Sequence, residues 1–361
     1  MVHESSSQLP KPDEFIYSAL KFETVAMKPS FAVYLHPDTC YTSKPRELIQ
    51  FTGYSLPYWD SVRQELENLL KDYSTLPLCK AELTEYQRVH KATYLEGLAK
   101  MAAGETLEQP LKLGNGCLGL EYALPGYLFS LGGMLEAVDQ MKLGRLDRAY
   151  CFSMGGHHAF PDWGHGYCLL NPLAATARYA QAQGFDRVLI IDWDLHHGDG
   201  TQAIFAHDPD VYCISIHSAA DLYMASARGI RSGTTTAGTN AGHCNIPLLT
   251  RAYGDEFWNE MHLDGEFYRA KDSLVMFEQA LKHIPWQPDI VLIFSGYDSH
   301  KDDQGLGITN WIDADFVKLT RYVIDLARRT NCPVLSVHGG GYHLPVTVRA
   351  AASHVFTLAS E

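Results

Sequence analysis

Short apolar runs bounded by turn residues punctuate the chain: Phe31–Leu35, Ala149–Phe152, Arg187–Ile191, Val211–Ile216, Ile290–Phe294 and Pro333–Val337. They are rich in Val, Ile, Tyr and Phe, as strands are, and apolar almost throughout. A strand with one wet face alternates; an unbroken run is covered on both faces, as in a parallel sheet packed between helices. Helical segments fall between these runs. Trp59–Asp72, Leu83–Met101, Gly126–Lys142, Pro172–Gln183, Lys271–His283 and Asp313–Arg329 are the candidates. In Gly126–Lys142, Leu128, Leu131, Leu135 and Val138 recur at three- and four-residue spacing, which marks one helix face. Pro172 is tolerated near a first turn, and Asp313 is expected to cap its helix. The alternation predicts an α/β fold with an open, mostly parallel sheet flanked by helices. Residues 1–30 read as a lead-in and 31–361 as the folded unit.

Length alone points elsewhere. At roughly 150 residues per domain, the 361 residues favour two or more units. The chemistry described next spans 155–343 and must meet in one pocket, so a single large domain is expected. The net charge of -13 argues against a chain that grips nucleic acid, which needs a basic face to neutralise phosphates. No apolar stretch of about 18 residues marks a membrane span, and the first residues show no secretory signal. The eight cysteines are scattered without a C-x-x-C pair, as expected of free thiols in a reducing cytoplasm.

In open parallel sheets, ligands bind beyond the carboxyl ends of the strands. Four of these runs end in unusual residues. Met154-Gly-Gly-His157-His158 follows the second. Asp192-Trp-Asp194-Leu-His196-His197-Gly-Asp199 follows the third. Ser295-Gly-Tyr-Asp298-Ser-His300 follows the fifth, and His338-Gly-Gly-Gly-Tyr342-His343 the last. In extended backbone, alternate residues share a side, so Asp192, Asp194 and His196 are expected to project together. A lone D-x-H is more often an ordinary hydrogen-bonded turn. With Asp298 from another strand end, however, Asp194 and His196 form a set that suits catalytic Zn²⁺. Fe²⁺, Co²⁺ or Mn²⁺ stays open, because most of the ligands are oxygens. Asp192 and Asp199 are left to orient His157 and His158, since a carboxylate fixes the imidazole tautomer for acid–base work. Tyr342, delivered after three glycines, is a candidate donor to a developing oxyanion. No phosphate-binding glycine loop occurs.

These residues together resemble the zinc-dependent histone deacetylase family, which also includes acetylpolyamine amidohydrolases and acetoin-utilisation proteins. The matching segments are GGHHAFPDWGHGYCLLN (155–171), VLIIDWDLHHGDGTQAIF (188–205), VYCISIH (211–217), SGYDSHKDDQGLG (295–307) and GGGYH (339–343). The resemblance implies an arginase/deacetylase-like fold and hydrolysis of acetyl or other acyl groups from the ε-amine of lysine. It implies Asp194, His196 and Asp298 as zinc ligands, His157 and His158 as the tandem histidines with Asp192 and Asp199 behind them, and Tyr342 as the transition-state tyrosine. It implies Gly166 and Tyr167 as one wall of an acyl-lysine channel and Tyr223 as the other. A structural potassium ion is implied at Asp192 and Ser215 with the carbonyls of Asp194, His196 and Ile216. Acetylpolyamines are the alternative substrates, and a non-catalytic acyl-lysine binder is the alternative class. Two departures stand out. The family's loop after residue 217 is replaced by a glycine- and threonine-rich stretch, read here as a loop over 218–247. His165 stands before the channel glycine and is expected to reach the rim. Asp302 and Asp303 are candidates to attract a basic tail or polyamine.

Overall fold

A computed structural model describes residues 31–40, 56–114, 116–153, 155–219, 243–249 and 268–361. The strands are β1 (Phe31–Tyr34), β2 (Ser74–Thr75), β3 (Arg148–Cys151), β4 (Val188–Asp192), β5 (Val211–Ser218), β6 (His243–Leu249), β7 (Tyr268–Arg269), β8 (Ile290–Ser295) and β9 (Val334–His338). They form one sheet in the order β2-β1-β3-β9-β8-β4-β5-β6-β7, with every neighbouring pair parallel. All six expected strands are present. The pairs at both edges include a two-residue strand, too short for any pattern to show. β6 begins inside the stretch read as a loop over 218–247, and β5 runs on to Ser218, so that reading is corrected at both ends. Asn245 and Pro247 interrupt the apolar run of β6 and hide the strand.

The helices are α1 (Leu56–Leu69), α2 (Ala92–Ala102), α3 (Leu124–Lys142), α4 (Pro172–Ala182), α5 (Asp199–Phe205), α6 (Ser273–Lys282), α7 (Asp313–Thr330) and α8 (Leu344–Ser360). They cover both faces of the sheet, which explains the unbroken apolar strands. Ile290, Leu292 and Phe294 of β8 pack with residues of α2, α3 and α4 on one side. Val291 and Ile293 pack with residues of α1, α6, α7 and α8 on the other.

Two helix expectations need correction. Leu83–Met101 is not one helix: a 3-10 turn at Leu83–Arg88 is separated from α2. The break lies where His90 turns inward. Its Nδ1 donates to the Phe160 carbonyl (2.9 Å), its Nε2 accepts from Asn171 N–H (3.0 Å), and Lys91 N–H donates to Pro161 O (2.7 Å). These bonds compete with the helical ones. Asp313 does not cap α7 either. It is the first helical residue, and its carboxylate bonds Arg349 instead; Asp315 reaches back to Ile312 N–H (2.9 Å). All eight thiols are free, six of them buried. Among the described residues no helix is long and apolar enough to cross a membrane.

Topology sets the site. The strands whose ends carry the unusual residues are β3, β9, β8 and β4, four consecutive neighbours in the sheet. Because all are parallel, their carboxyl ends meet on one edge.

Candidate active site

Strand pairing ends at Asp192, so the extended alternation expected to align Asp192, Asp194 and His196 does not continue past it. Two carboxylate-capped turns replace it. Asp192 Oδ1 accepts from Asp194 N–H (3.0 Å), and Asp194 Oδ1 accepts from His196 N–H (3.0 Å). The turns still bring Asp194 and His196 to one point. There the His196 Nδ1 lies 3.1 Å from Asp194 Oδ1 and 2.9 Å from Asp298 Oδ2. The three side chains each offer one ligand atom, all within 4.8 Å of one another.

Burial makes this grouping costly without a cation. Asp298 is fully buried, and its Oδ2, though 2.9 Å from His196 Nδ1, makes no well-formed hydrogen bond among the described residues. An orphaned buried carboxylate oxygen is expensive. Burial, with Asp194 beside it, pushes the Asp298 carboxyl up to about 7. Burial works the same way on Asp194, yet His157 and His196 hold that group well below the usual carboxylate range. A divalent cation would satisfy the orphaned oxygen and offset the like charges, so the residues present fit one. One nitrogen and two carboxylates suit zinc or a neighbouring first-row ion.

The tandem histidines sit beside this set. His157 Nδ1 donates to Asp192 Oδ2 (2.9 Å), and His158 Nδ1 pairs with Asp199 Oδ1 (2.8 Å). Both rings are buried, 4.0 Å apart between centroids, and His157 stacks on Phe294 at 4.4 Å. Burial disfavours charge on either ring. For His157, Asp192 and Asp194 outweigh that and hold it up at about 9. For His158, burial and then the neighbouring His157 push it well below its ordinary value. The two rings are thus pushed in opposite directions, His157 towards the charged form and His158 towards the neutral one.

The segment after β9 supplies the opposite wall. Gly340 N–H donates to Asp194 Oδ2 (2.7 Å), and a Cβ on Gly340 would lie 2.5 Å from that oxygen and 2.7 Å from Asp298 Oδ2. Only glycine fits there. The next residues turn Tyr342 back over the site, its ring edge-on to His196 at 6.3 Å. Tyr342, His157, His158, Asp194, Gly340, Gly166 and Tyr167 all line one cleft.

The model of the histone deacetylase domain matches residues 58–358. The chain belongs to the histone deacetylase family. A histone deacetylase-like amidohydrolase of Pseudomonas aeruginosa is 31% identical over 263 residues, covering 71% of this chain. That alignment covers 62% of the Pseudomonas protein, so the chain spans less than two thirds of this relative. An acetoin utilization protein of Staphylococcus aureus is 31% identical over 284 residues, 75% of this chain and 67% of its own. The crystal structure of the HDA15 HD domain superposes with a TM-score of 0.67 at 22% identity, covering 92% of this chain and 89% of that one, and so shares the fold.

The residues singled out in the sequence, Asp192, Asp194, His196, Asp199, Asp298, His157, His158 and Tyr342, lie together at the carboxyl edge of the sheet. It also pairs Asp192 with Ser215 across β4 and β5 and places Ile216 next along β5. Tyr223 and Met154 lie outside the described residues, as does most of the 218–247 stretch. His165 does not reach the rim. It is 1% exposed and stacked on Trp163 at 4.5 Å, which stands under the Lys112 ammonium. An aromatic neighbour two residues away draws the ring inward. Asp303 is not a free surface charge either, because its Oδ2 accepts from Tyr342 N–H (2.7 Å) and His343 N–H (2.9 Å). Asp302 is exposed and paired with Lys301. Trp59, Leu120, Tyr127, Cys168 and Phe294 also line the cleft, and the sequence singles out none of them for it. Only Phe294 had a signal, as the last apolar residue before Ser295-Gly-Tyr-Asp298.

Proposed function

We propose that this chain is a metal-dependent amide hydrolase that removes acetyl groups from the ε-amine of lysine in peptides or proteins. The observation that carries this reading is His196 Nδ1 held between Asp194 and Asp298 beside two histidine–aspartate pairs, with Tyr342 on the facing wall. A divalent cation, with zinc the best match to the ligand set and Fe²⁺ or Co²⁺ the alternatives, would polarise the acyl carbonyl and acidify a water. His158, oriented by Asp199, takes the proton from the attacking water and returns it to the leaving amine. His157 keeps its proton on Asp192 and balances the negative charge that builds nearby. Tyr342 donates its phenolic hydrogen to the carbonyl oxygen as that oxygen turns anionic. Acetate and a free amine result.

Gly166 and Tyr167 form the channel wall. Gly166 has φ +54, and a Cβ there would fall 2.5 Å from His158 Cδ2, so the chain passes against the catalytic ring only because no side chain is present. We assign a structural potassium ion to Asp192, Ser215 and the carbonyls of Asp194, His196 and Ile216. The register that sets Asp192 against Ser215 supports it. The free thiols fit a reducing compartment such as the cytoplasm. A non-catalytic acyl-lysine binder would need neither the paired carboxylates behind the histidines nor the phenol.

The test is acetate release by the zinc-loaded protein from acetyl-lysine peptides, longer acyl-lysine peptides and acetylpolyamines. The reading expects the highest kcat/KM on acetyl-lysine peptides. Preference for acetylpolyamines would replace the substrate, and no turnover of any amide would overturn the reaction.

A further inference from the structure

Three glycines precede Tyr342, and a backbone without side chains has little to hold it in one place. The segment is therefore fixed through its peptide groups. Gly340 N–H is held by Asp194, and Gly340 O accepts from Tyr297 N–H (2.6 Å). Gly341 O accepts from the Tyr58 hydroxyl (2.9 Å). These contacts stop one residue short of the phenol. The residue that carries it is gripped by Asp303, a single carboxylate oxygen that accepts from the N–H groups of Tyr342 and His343. Bonds to an ionised acceptor are about twice as strong as neutral ones.

Asp303 is itself held in a closed turn. Asp303 N–H donates to His300 O (3.0 Å), Gln304 N–H to Asp298 O (3.1 Å), and Lys301 N–H to Trp311 O (2.8 Å). Thr309 Oγ1 bonds Ser299 O. One turn thus carries Asp298 at its start and Asp303 five residues later. Asp298 faces the metal-ligand set, and Asp303 faces the tyrosine.

The geometry points to Asp303 as the positioning residue of Tyr342, fixing where its phenol stands relative to Asp298. This rests on the proposed role of Tyr342. The competing role is structural: a carboxylate at the start of α8 also favours that helix through its dipole. The two roles differ in what they depend on. A positioning effect needs the phenol, whereas a helix effect does not.

The experiment combines Asp303→Ala with Tyr342→Phe and reads kcat, KM and bound zinc. A misplacement of about 1 Å costs about 100-fold, so Asp303→Ala is expected to lower kcat about 10- to 100-fold, with KM and zinc little changed. In the Tyr342→Phe background the same change is expected to cost less than about twofold, because the group it positions is gone. Asp303→Asn keeps an acceptor oxygen without the charge and is expected to return kcat to within about fivefold of the parent. Equal losses in both backgrounds, or no loss with tyrosine present, overturn the inference. If Asp303→Ala does not fold, Asp303→Asn is read the same way, as a loss of about three- to fivefold with tyrosine and none with phenylalanine. A fast Tyr342→Phe parent would instead overturn the tyrosine's own assignment, so the two failures are told apart.

Discussion

A phenol that donates to an oxygen only as it turns anionic contributes to the rate and not to the fold. Removing such a donor typically lowers kcat by about 10²–10³. Tyr342→Phe is therefore expected to lose that much turnover while leaving zinc uptake and melting temperature unchanged. Near-parental turnover would remove Tyr342 from the mechanism. At this scale the sequence is most legible where residues of one chemistry recur at several strand ends. Asp194 with His196, and Asp298, can be read as one set because each follows an apolar run directly. His165 is misread because its partner is not a neighbour in the pattern but the face of Trp163. Asp303 is misread because what holds it is backbone, and backbone amides carry no sequence signature.

The segment between β9 and α8 shows how an element can be shaped by what it must avoid. A methyl group on Gly340 would press on the facing oxygens of Asp194 and Asp298 and force them apart. Gly340→Ala is expected to bind zinc at least about tenfold more weakly, as disturbance around a metal-ligand set typically does. The check is zinc affinity by competition with a chelating dye, with circular dichroism to confirm the fold; unchanged affinity would contradict the packing argument. The strands are legible because burial on both faces leaves unbroken apolar runs. α8 is not, and for a related reason. Val346, Val348, Ala350, Ala351, Ala352, Val355 and Leu358 are all buried, so little polar face remains to show a helical period. The Leu83–Met101 reading fails at His90, where side-chain bonds to a distant loop win over local propensity.

For the whole molecule, the order of strands is what no local pattern carries. The sequence places chemistry at four strand ends, and only the pairing of β3, β9, β8 and β4 makes them neighbours. The expectation of two or more domains from length gives way to one sheet for the same reason. Buried histidines far from the metal-ligand set also predict how the fold meets acid. Burial lowers His90 to about 4 and His354 to about 3, from an ordinary 6.5. His354 is neutral between Thr320 Oγ1 (2.6 Å) and Ser336 Oγ (2.8 Å). Below pH 6.5 the unfolded chain takes up these protons and the folded chain does not. Their contribution is thus full above 6.5 and is lost as pH falls towards 4 and 3. The loss is about 1.4 kcal/mol for each ring per tenfold rise in proton concentration. Urea unfolding between pH 7 and 5 is expected to show this decline, shallower by about one proton in His354→Gln. A slope identical in both proteins would mean that His354 is charged when folded.

The central claim is that Asp194, His196 and Asp298 hold a metal that makes the histidine pair and Tyr342 hydrolytic. Its most direct measurement is acetate release from an acetyl-lysine peptide by protein stripped with a chelator, dialysed, and titrated with Zn²⁺. The account predicts no release from stripped protein and full recovery at one zinc per chain, with Asp298→Ala neither binding that zinc tightly nor recovering. Hydrolysis by stripped protein at the parental rate, or recovery in Asp298→Ala equal to the parent, would contradict it.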